Sequence, residues 1–353
     1  MKLPLTLAAA SLACACFAAD MPEQGDDAAR FAKFDQAIRD FAREHEIAAT
    51  VAAVSEHGSI THLRSFGFAD AERTHPLTPG ARFRIASVTK PITAAAVKTL
   101  IRDGKFQAAT PVLDILKQPP WPQPKDARWR DITIQHLLDH RGGWDRDAWG
   151  DPMFMQVRIL KQTGHKPEKP DDVVRWMMTQ PLQFNPGATN AYANFGYCVL
   201  GRVIETTTRR PYLDYINATI AKPCGITSWA LARGGAQRQP GEIWYDFGKE
   251  GENFHIWLMD SHGAIISTAS DLCRFMARYW LNGEPRTTGR GQFRFYGSLP
   301  GTTAIVEQRR DGTDFAVLLN KRRPTGAEEW HALLRQEIDA ALDAETQPTP
   351  TLP

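Results

Sequence analysis

Ser87 and Lys90 stand three residues apart in "RIASVTKPITAAAV" (84–97), at the head of an apolar run. On a helix, positions i and i+3 share a face, so the hydroxyl and the amine can meet. A serine hydroxyl is a poor nucleophile until a neighbouring base takes its proton. A lysine can be that base once desolvation or a nearby cation lowers its pKa. Pro91 fits if the helix has only just begun, because first-turn N–H groups lack intrahelical partners. Ser87 then lies at a helix N-terminus, where the backbone dipole favours negative charge. The same residues also describe an N-capping serine and a solvated lysine, and the pair alone does not separate the readings.

A second candidate is "NPGATNAYANFGYCVLGRVIE" (185–205), a turn leading into an apolar helix. Tyr192 and Asn194 are two apart, so in an extended loop their side chains point the same way. A phenol can shuttle protons, and an amide side chain can orient both a lysine and a substrate carbonyl. A core tyrosine and an N-capping asparagine would give the same letters. His136 and His140 have metal-ligand spacing, but no glutamate completes an H-E-x-x-H pattern, so no metal is expected. His262 in "DSHGAIIS" reads as a structural histidine near the cleft. No G-x-S-x-G elbow is present, which argues against an α/β-hydrolase.

These residues need elements to position them. Phe31, Phe34, Ile38 and Phe41 recur at helical spacing, predicting an amphipathic helix within 26–46. Two strand-like runs follow around a turn at Glu56-His57-Gly58-Ser59. Near the other end "TTAIVEQRRDGTDFAVLLN" repeats the design, with Asp311-Gly312 suited to a tight hairpin. A second helix should carry Trp330, Leu333, Leu334, Ile338 and Leu342 on one face. Helix–hairpin at the start and hairpin–helix at the end predict one antiparallel sheet built from both termini, flanked by the terminal helices. The mostly helical stretch between them makes this an α+β fold with a large insertion. Trp121, Trp129, Trp144 and Trp149 gather around the mid-chain loops as core and rim, with Trp144 or Trp149 a candidate to shape an acyl pocket.

The chain has 353 residues and a formal net charge of +2, with no basic run interleaved with aromatics, so no nucleic-acid partner is expected. "MKLPLTLAAASLACACFAAD" reads as a signal peptide cleaved near Ala18 or Ala19, implying a periplasmic or secreted protein. Cys14 and Cys16 offer a weaker lipoprotein alternative. No transmembrane span is expected in the mature chain. Cys198, Cys224 and Cys273 would remain, too few for a disulfide framework, and read as buried thiols. The expected organisation is a signal peptide (1–19), one hydrolase domain (20–345) and a proline-rich disordered tail (346–353). Within the domain, a sheet subdomain takes about 26–84 and 255–345, and a helical subdomain about 85–254.

In order along the chain, "RIASVTKPITAAAVKTLIRDGKF", "TIQHLLDHRGG", the Tyr192 segment, "SHGAIISTASDLCRFM" and "YGSLPGTTAIV" resemble serine hydrolases related to class C β-lactamases. That group includes D-alanyl-D-alanine carboxypeptidases, D-aminopeptidases and β-lactamase-like esterases. The resemblance covers about residues 28–342. It implies a β-lactamase/transpeptidase-like fold, with Ser87 as acylated nucleophile and Lys90 as its base. Tyr192 would pass the proton between nucleophile and leaving group, and Asn194 would orient the substrate. The backbone N–H groups of Ser87 and Ser298 would form the oxyanion hole, and Arg141-Gly142-Gly143 a loop near the site.

One motif departs. Where the lactamases and carboxypeptidases carry lysine or histidine, a small residue and glycine, this chain has Phe295, Tyr296 and Gly297. The loss of that cation weakens the case for β-lactams and favours an uncharged acyl or alcohol group. Arg294 is a doubtful substitute, because neighbours on a strand face opposite sides. The expectation is an exported serine hydrolase acting on a small ester, amide or peptide without cofactor or metal. A penicillin-binding D,D-peptidase or β-lactamase is the alternative, and a non-catalytic ligand-binding relative a further one.

Overall fold

Phe34, Ile38 and Phe41 form the buried apolar stripe of helix α1 (Ala32–Glu44), as their spacing predicts, and Phe31 is buried beside them from the 3₁₀ turn Ala29–Phe31 that precedes it. In this computed structural model the described residues are 21–346, apart from 117–120, 235–236, 252–253, 288–290 and 324–325. The expected signal peptide (1–19) and residues 347–353 of the tail lie outside them.

After strand β1 (Glu23–Gly25) and α1, the chain forms a hairpin of β2 (Ala49–Glu56) and β3 (Ser59–Gly67). His57 and Gly58 turn it with φ of 50° and 83°, the paired positive values a two-residue hairpin needs. The short strands β4 (Phe83–Arg84), β5 (Ala230–Leu231) and β6 (Ile265–Ser267) make a separate three-stranded sheet in the order β4-β6-β5. Strands β7 (Phe293–Leu299), β8 (Thr302–Gln308) and β9 (Thr313–Leu319) complete a six-stranded antiparallel sheet ordered β1-β3-β2-β9-β8-β7. The N- and C-terminal hairpins therefore meet where β2 pairs with β9, Thr50 opposite Leu319.

Alternation divides the sheet's side chains between two cores. Ala52, Val54, Phe315 and Val317 pack under α1 and the last helix (Ala327–Thr346). Val51, Ala53, Ala316 and Leu318 join the larger core beneath the helical layer. Trp330, Leu334, Ile338 and Leu342 seal the terminal-helix side, whereas Leu333, expected on that face, is 43% exposed. The architecture is the α+β arrangement with an antiparallel sheet expected from the sequence. Cys198, Cys224 and Cys273 are free and buried. Among the described residues no helix is long and apolar enough to cross a membrane.

Candidate active site

The helix carrying Lys90 spans Thr89–Arg102 (α2), and a single 3₁₀ turn, Ala86–Val88, leads into it. Pro91 falls in its first turn, where it costs no backbone hydrogen bond. Ala86 holds φ of 47°, an uncommon conformation for a residue with a Cβ, immediately before Ser87. From Phe83 to Val97 every residue is buried except Ser87, so the core offers one hydroxyl to the outside.

Lys90 lies at the bottom of that opening, 0% exposed. Its Nζ donates to Ser87 Oγ at 3.0 Å and to the His262 carbonyl at 3.0 Å. Burial pushes its pKa below the ordinary lysine value, and Arg146 acts in the same direction, while Tyr192 and Asp151 oppose the shift.

Tyr192 reaches the same oxygen from the loop before helix Asn194–Thr208, its hydroxyl donating to Ser87 Oγ at 2.9 Å. The loop is tied to the His140 segment. Ala191 N–H donates to the His140 carbonyl at 2.9 Å, and Ala193 N–H donates to His140 Nδ1 at 3.2 Å. The His140 ring stacks on Tyr192 with centroids 4.5 Å apart. Burial first, then the charge of Lys90, bring His140 down to about 4, so it stays neutral and keeps an acceptor for Ala193.

Asn194, expected to orient the substrate, is the first residue of its helix rather than the cap, and lines the cleft with Ser87. Its Nδ2 donates to Asp151 Oδ2 at 2.6 Å, leaving its buried Oδ1 without a partner among the described residues. Asp151 also caps the turn Pro152–Phe154 by accepting from Met153 N–H at 3.0 Å. Burial raises its pKa, and these two bonds work against the rise.

Strand β7 closes the opposite wall. A Cβ on Gly297 would stand 2.2 Å from the Ile85 carbonyl oxygen, so only glycine lets the strand approach the Ser87 turn. Ser298, the next residue, lines the same cleft of about 490 Å³ as Ser87 and Asn194. Tyr296 points the other way and stacks on His331 with ring centroids 5.0 Å apart. Phe295 lines a neighbouring hollow with Pro91, Ala94, His140 and Tyr197, not the cleft. Arg294 faces away and lies 3.9 Å from Glu307.

A family model described as Beta-lactamase matches residues 34–331, most of the chain. The chain belongs to the Beta-lactamase family. With that family it is a serine hydrolase. Esterase EstB of Burkholderia gladioli is 30% identical over 295 residues, covering 80% of this chain and 70% of the relative. A penicillin-binding protein of Bacillus subtilis is 30% identical over 252 residues, 66% of this chain. The chain spans 52% of that relative's length. The structure of D-amino acid amidase from Ochrobactrum anthropi SV3 superposes with a TM-score of 0.70. It is 19% identical, with 90% of this chain and 100% of that one covered, so the likeness is one of fold.

Within the Beta-lactamase frame the remaining candidates take structural places. His136 Nδ1 accepts from Thr133 N–H, and no group of three metal-ligating side chains occurs among the described residues. Arg141 and Gly143 carbonyls accept from Gly187 and Gln183, pairing the loop with the Tyr192 segment. Trp144 is buried against Trp129 and Phe195, and half-buried Trp149 packs on Trp176. Neither lines the cleft with Ser87. Sequence reasoning missed Arg146, Asp151 and Phe154, which do line it. The Asp-Pro step at 151–152 was a cap signal that could have marked Asp151. Nothing in the letters marked Arg146.

Proposed function

We propose that the protein is an exported serine hydrolase that cleaves carboxylic esters or small amides through an acyl-enzyme on Ser87. The observation that carries this reading is the pair of hydrogen bonds on one hydroxyl, from Lys90 Nζ at 3.0 Å and from Tyr192 at 2.9 Å. Neutral Lys90 takes the Ser87 proton as Oγ attacks the carbonyl carbon. Tyr192 gives its proton to the departing group and recovers one from Lys90. Water then cleaves the acyl-serine by the reverse relay.

The backbone N–H groups of Ser87 and Ser298 hold the developing oxyanion. The close approach at Gly297 supports this, because it draws β7 against the Ser87 turn. Each such donor contributes about 3 kcal/mol to lowering the barrier. Asn194 orients the substrate. The likeness to an esterase at 30% identity favours esters.

A second reading, a penicillin-binding D,D-peptidase or β-lactamase, draws on the 30% identity to the Bacillus subtilis protein. Turnover of short-chain p-nitrophenyl esters, of amino-acid amides and of penicillin distinguishes the two. Ester turnover that disappears in Ser87→Ala supports the first reading. A stable penicillin adduct with negligible esterase activity supports the second. Export predicts that protein recovered from outside the cytoplasm begins just after Ala18 or Ala19, and an uncleaved N-terminus would contradict it.

A further inference from the structure

Arg146 stands apart from the other arginine of the cleft. It belongs to the short helix Arg146–Trp149 and lines the cleft with Ser87 and Ser298. Its guanidinium carbon lies 4.5 Å from the centroid of the Tyr192 ring, whose hydroxyl is 2.9 Å from Ser87 Oγ. Arg322, also on the cleft, is clasped by Glu250, with Nε to Oε2 at 2.8 Å. Arg146 has no such clasp. Among the described residues its side chain makes no hydrogen bond, its buried Nε included. Its one ion pair among the described residues is a 3.5 Å contact from Nε to neighbouring Asp147, whose side chain is 87% exposed. An ion pair so open to water holds an arginine weakly. A guanidinium with a planar fork of unused donors, fixed on an aromatic ring, matches a carboxylate.

We infer that Arg146 is the specificity residue of this site, binding a carboxylate carried by the leaving group of the substrate. The side of the substrate follows from Tyr192. If Tyr192 protonates the departing oxygen or nitrogen, a cation stacked on its ring sits beside the leaving group rather than the acyl chain. The inference thus rests on the proposed acyl-enzyme reading. It places a cation on the helical wall of the cleft, although the position on β7 where the resemblance led one to look carries Phe295 and turns to another hollow.

The test compares 4-acetoxybenzoate with phenyl acetate, which share the acetyl group and differ in a leaving-group carboxylate. In Arg146→Ala the ratio of kcat/KM for the anionic ester to that for the neutral ester should fall at least about tenfold, the loss expected for one charge-assisted hydrogen bond. Arg146→Lys should retain part of the preference. An unchanged ratio overturns the inference, even if both esters slow together. Binding separates this from failure of the hydrolase reading. Calorimetry of 4-acetoxybenzoate with Ser87→Ala protein, with and without Arg146→Ala, should show the affinity lost with the guanidinium. Equal affinities contradict the inference whether or not either ester turns over. Melting curves of Arg146→Ala and Arg146→Lys identify any variant that fails to fold, and the lysine variant then decides.

Discussion

Gly297 and Ile85 touch backbone to backbone: a Cβ on Gly297 would lie 2.2 Å from the Ile85 carbonyl oxygen. This contact joins the last hairpin of the sheet to the turn that presents Ser87. Gly297→Ala should force the strand away, costing about 1–3 kcal/mol of stability. If the Ser298 N–H is the oxyanion donor proposed above, its displacement should lower kcat at least about a hundredfold. Gly80, whose Cβ would meet nothing within 4 Å, provides the control. Gly80→Ala should stay within about 0.5 kcal/mol of wild type in a thermal melt. Equal effects at the two glycines would contradict the account.

In the proposed mechanism the pH dependence of acylation follows Lys90. Its pKa is held down, first by burial, so the neutral amine appears at lower pH than for an ordinary lysine. The acylation rate should therefore rise with pH along a limb centred below about 10.4 and level off above it. Replacing Lys90 by Ala should lower the plateau by about 10²–10⁴. A wild-type limb at or above the ordinary lysine value would contradict a desolvated base.

His140 and His331 make the fold sensitive to acid. Each is brought to about 4 in the folded chain, from an ordinary value of 6.5, chiefly by burial. Below pH 6.5 the unfolded chain binds protons that the folded chain refuses, so stability is complete above 6.5 and falls as pH drops towards 4. Each histidine accounts for up to about 3 kcal/mol of that loss. Chemical denaturation between pH 7 and 4 should show the slope, and His140→Gln should flatten it. An unaltered slope in that variant would exclude His140 as a contributor.

Asp151 holds the Asn194 amide at 2.6 Å and caps Pro152–Phe154. Asp151→Ala should lower kcat/KM about tenfold and cost about 1 kcal/mol of stability as the cap is lost. Asp151→Asn should recover much of the stability, since its side-chain oxygen can still cap, but only part of kcat/KM. Steady-state kinetics and melts on the two variants check this, and full recovery of kcat/KM in Asp151→Asn would contradict a need for the carboxylate.

The hairpins and the buried stripe of α1 could be read from the letters because period and turn chemistry are local. Ser87 and Lys90 were legible for the same reason: one helical turn holds both, and Pro91 marks where it starts. Joining them to Tyr192 needed the order of segments along the chain, since 105 residues separate that phenol from the serine it bonds. Asp151 carried only the local signal of its Asp-Pro step, and its turn is placed by packing against the helix Asn194–Thr208. Arg146 carried none, because its place beside Tyr192 depends on a contact across 46 residues of chain. Leu333 shows the limit of periodicity, because it follows the apolar repeat and yet falls just outside the covered face.

Every step of the proposed reaction passes through an acyl group on Ser87. Intact-protein mass spectrometry during turnover of a short-chain p-nitrophenyl ester, quenched in acid and followed by peptide mapping, tests it most directly. A single added acyl group is expected on the peptide containing Ser87, absent in Ser87→Ala, together with loss of turnover in that variant. No adduct on wild type, with equal turnover by Ser87→Ala, would contradict it.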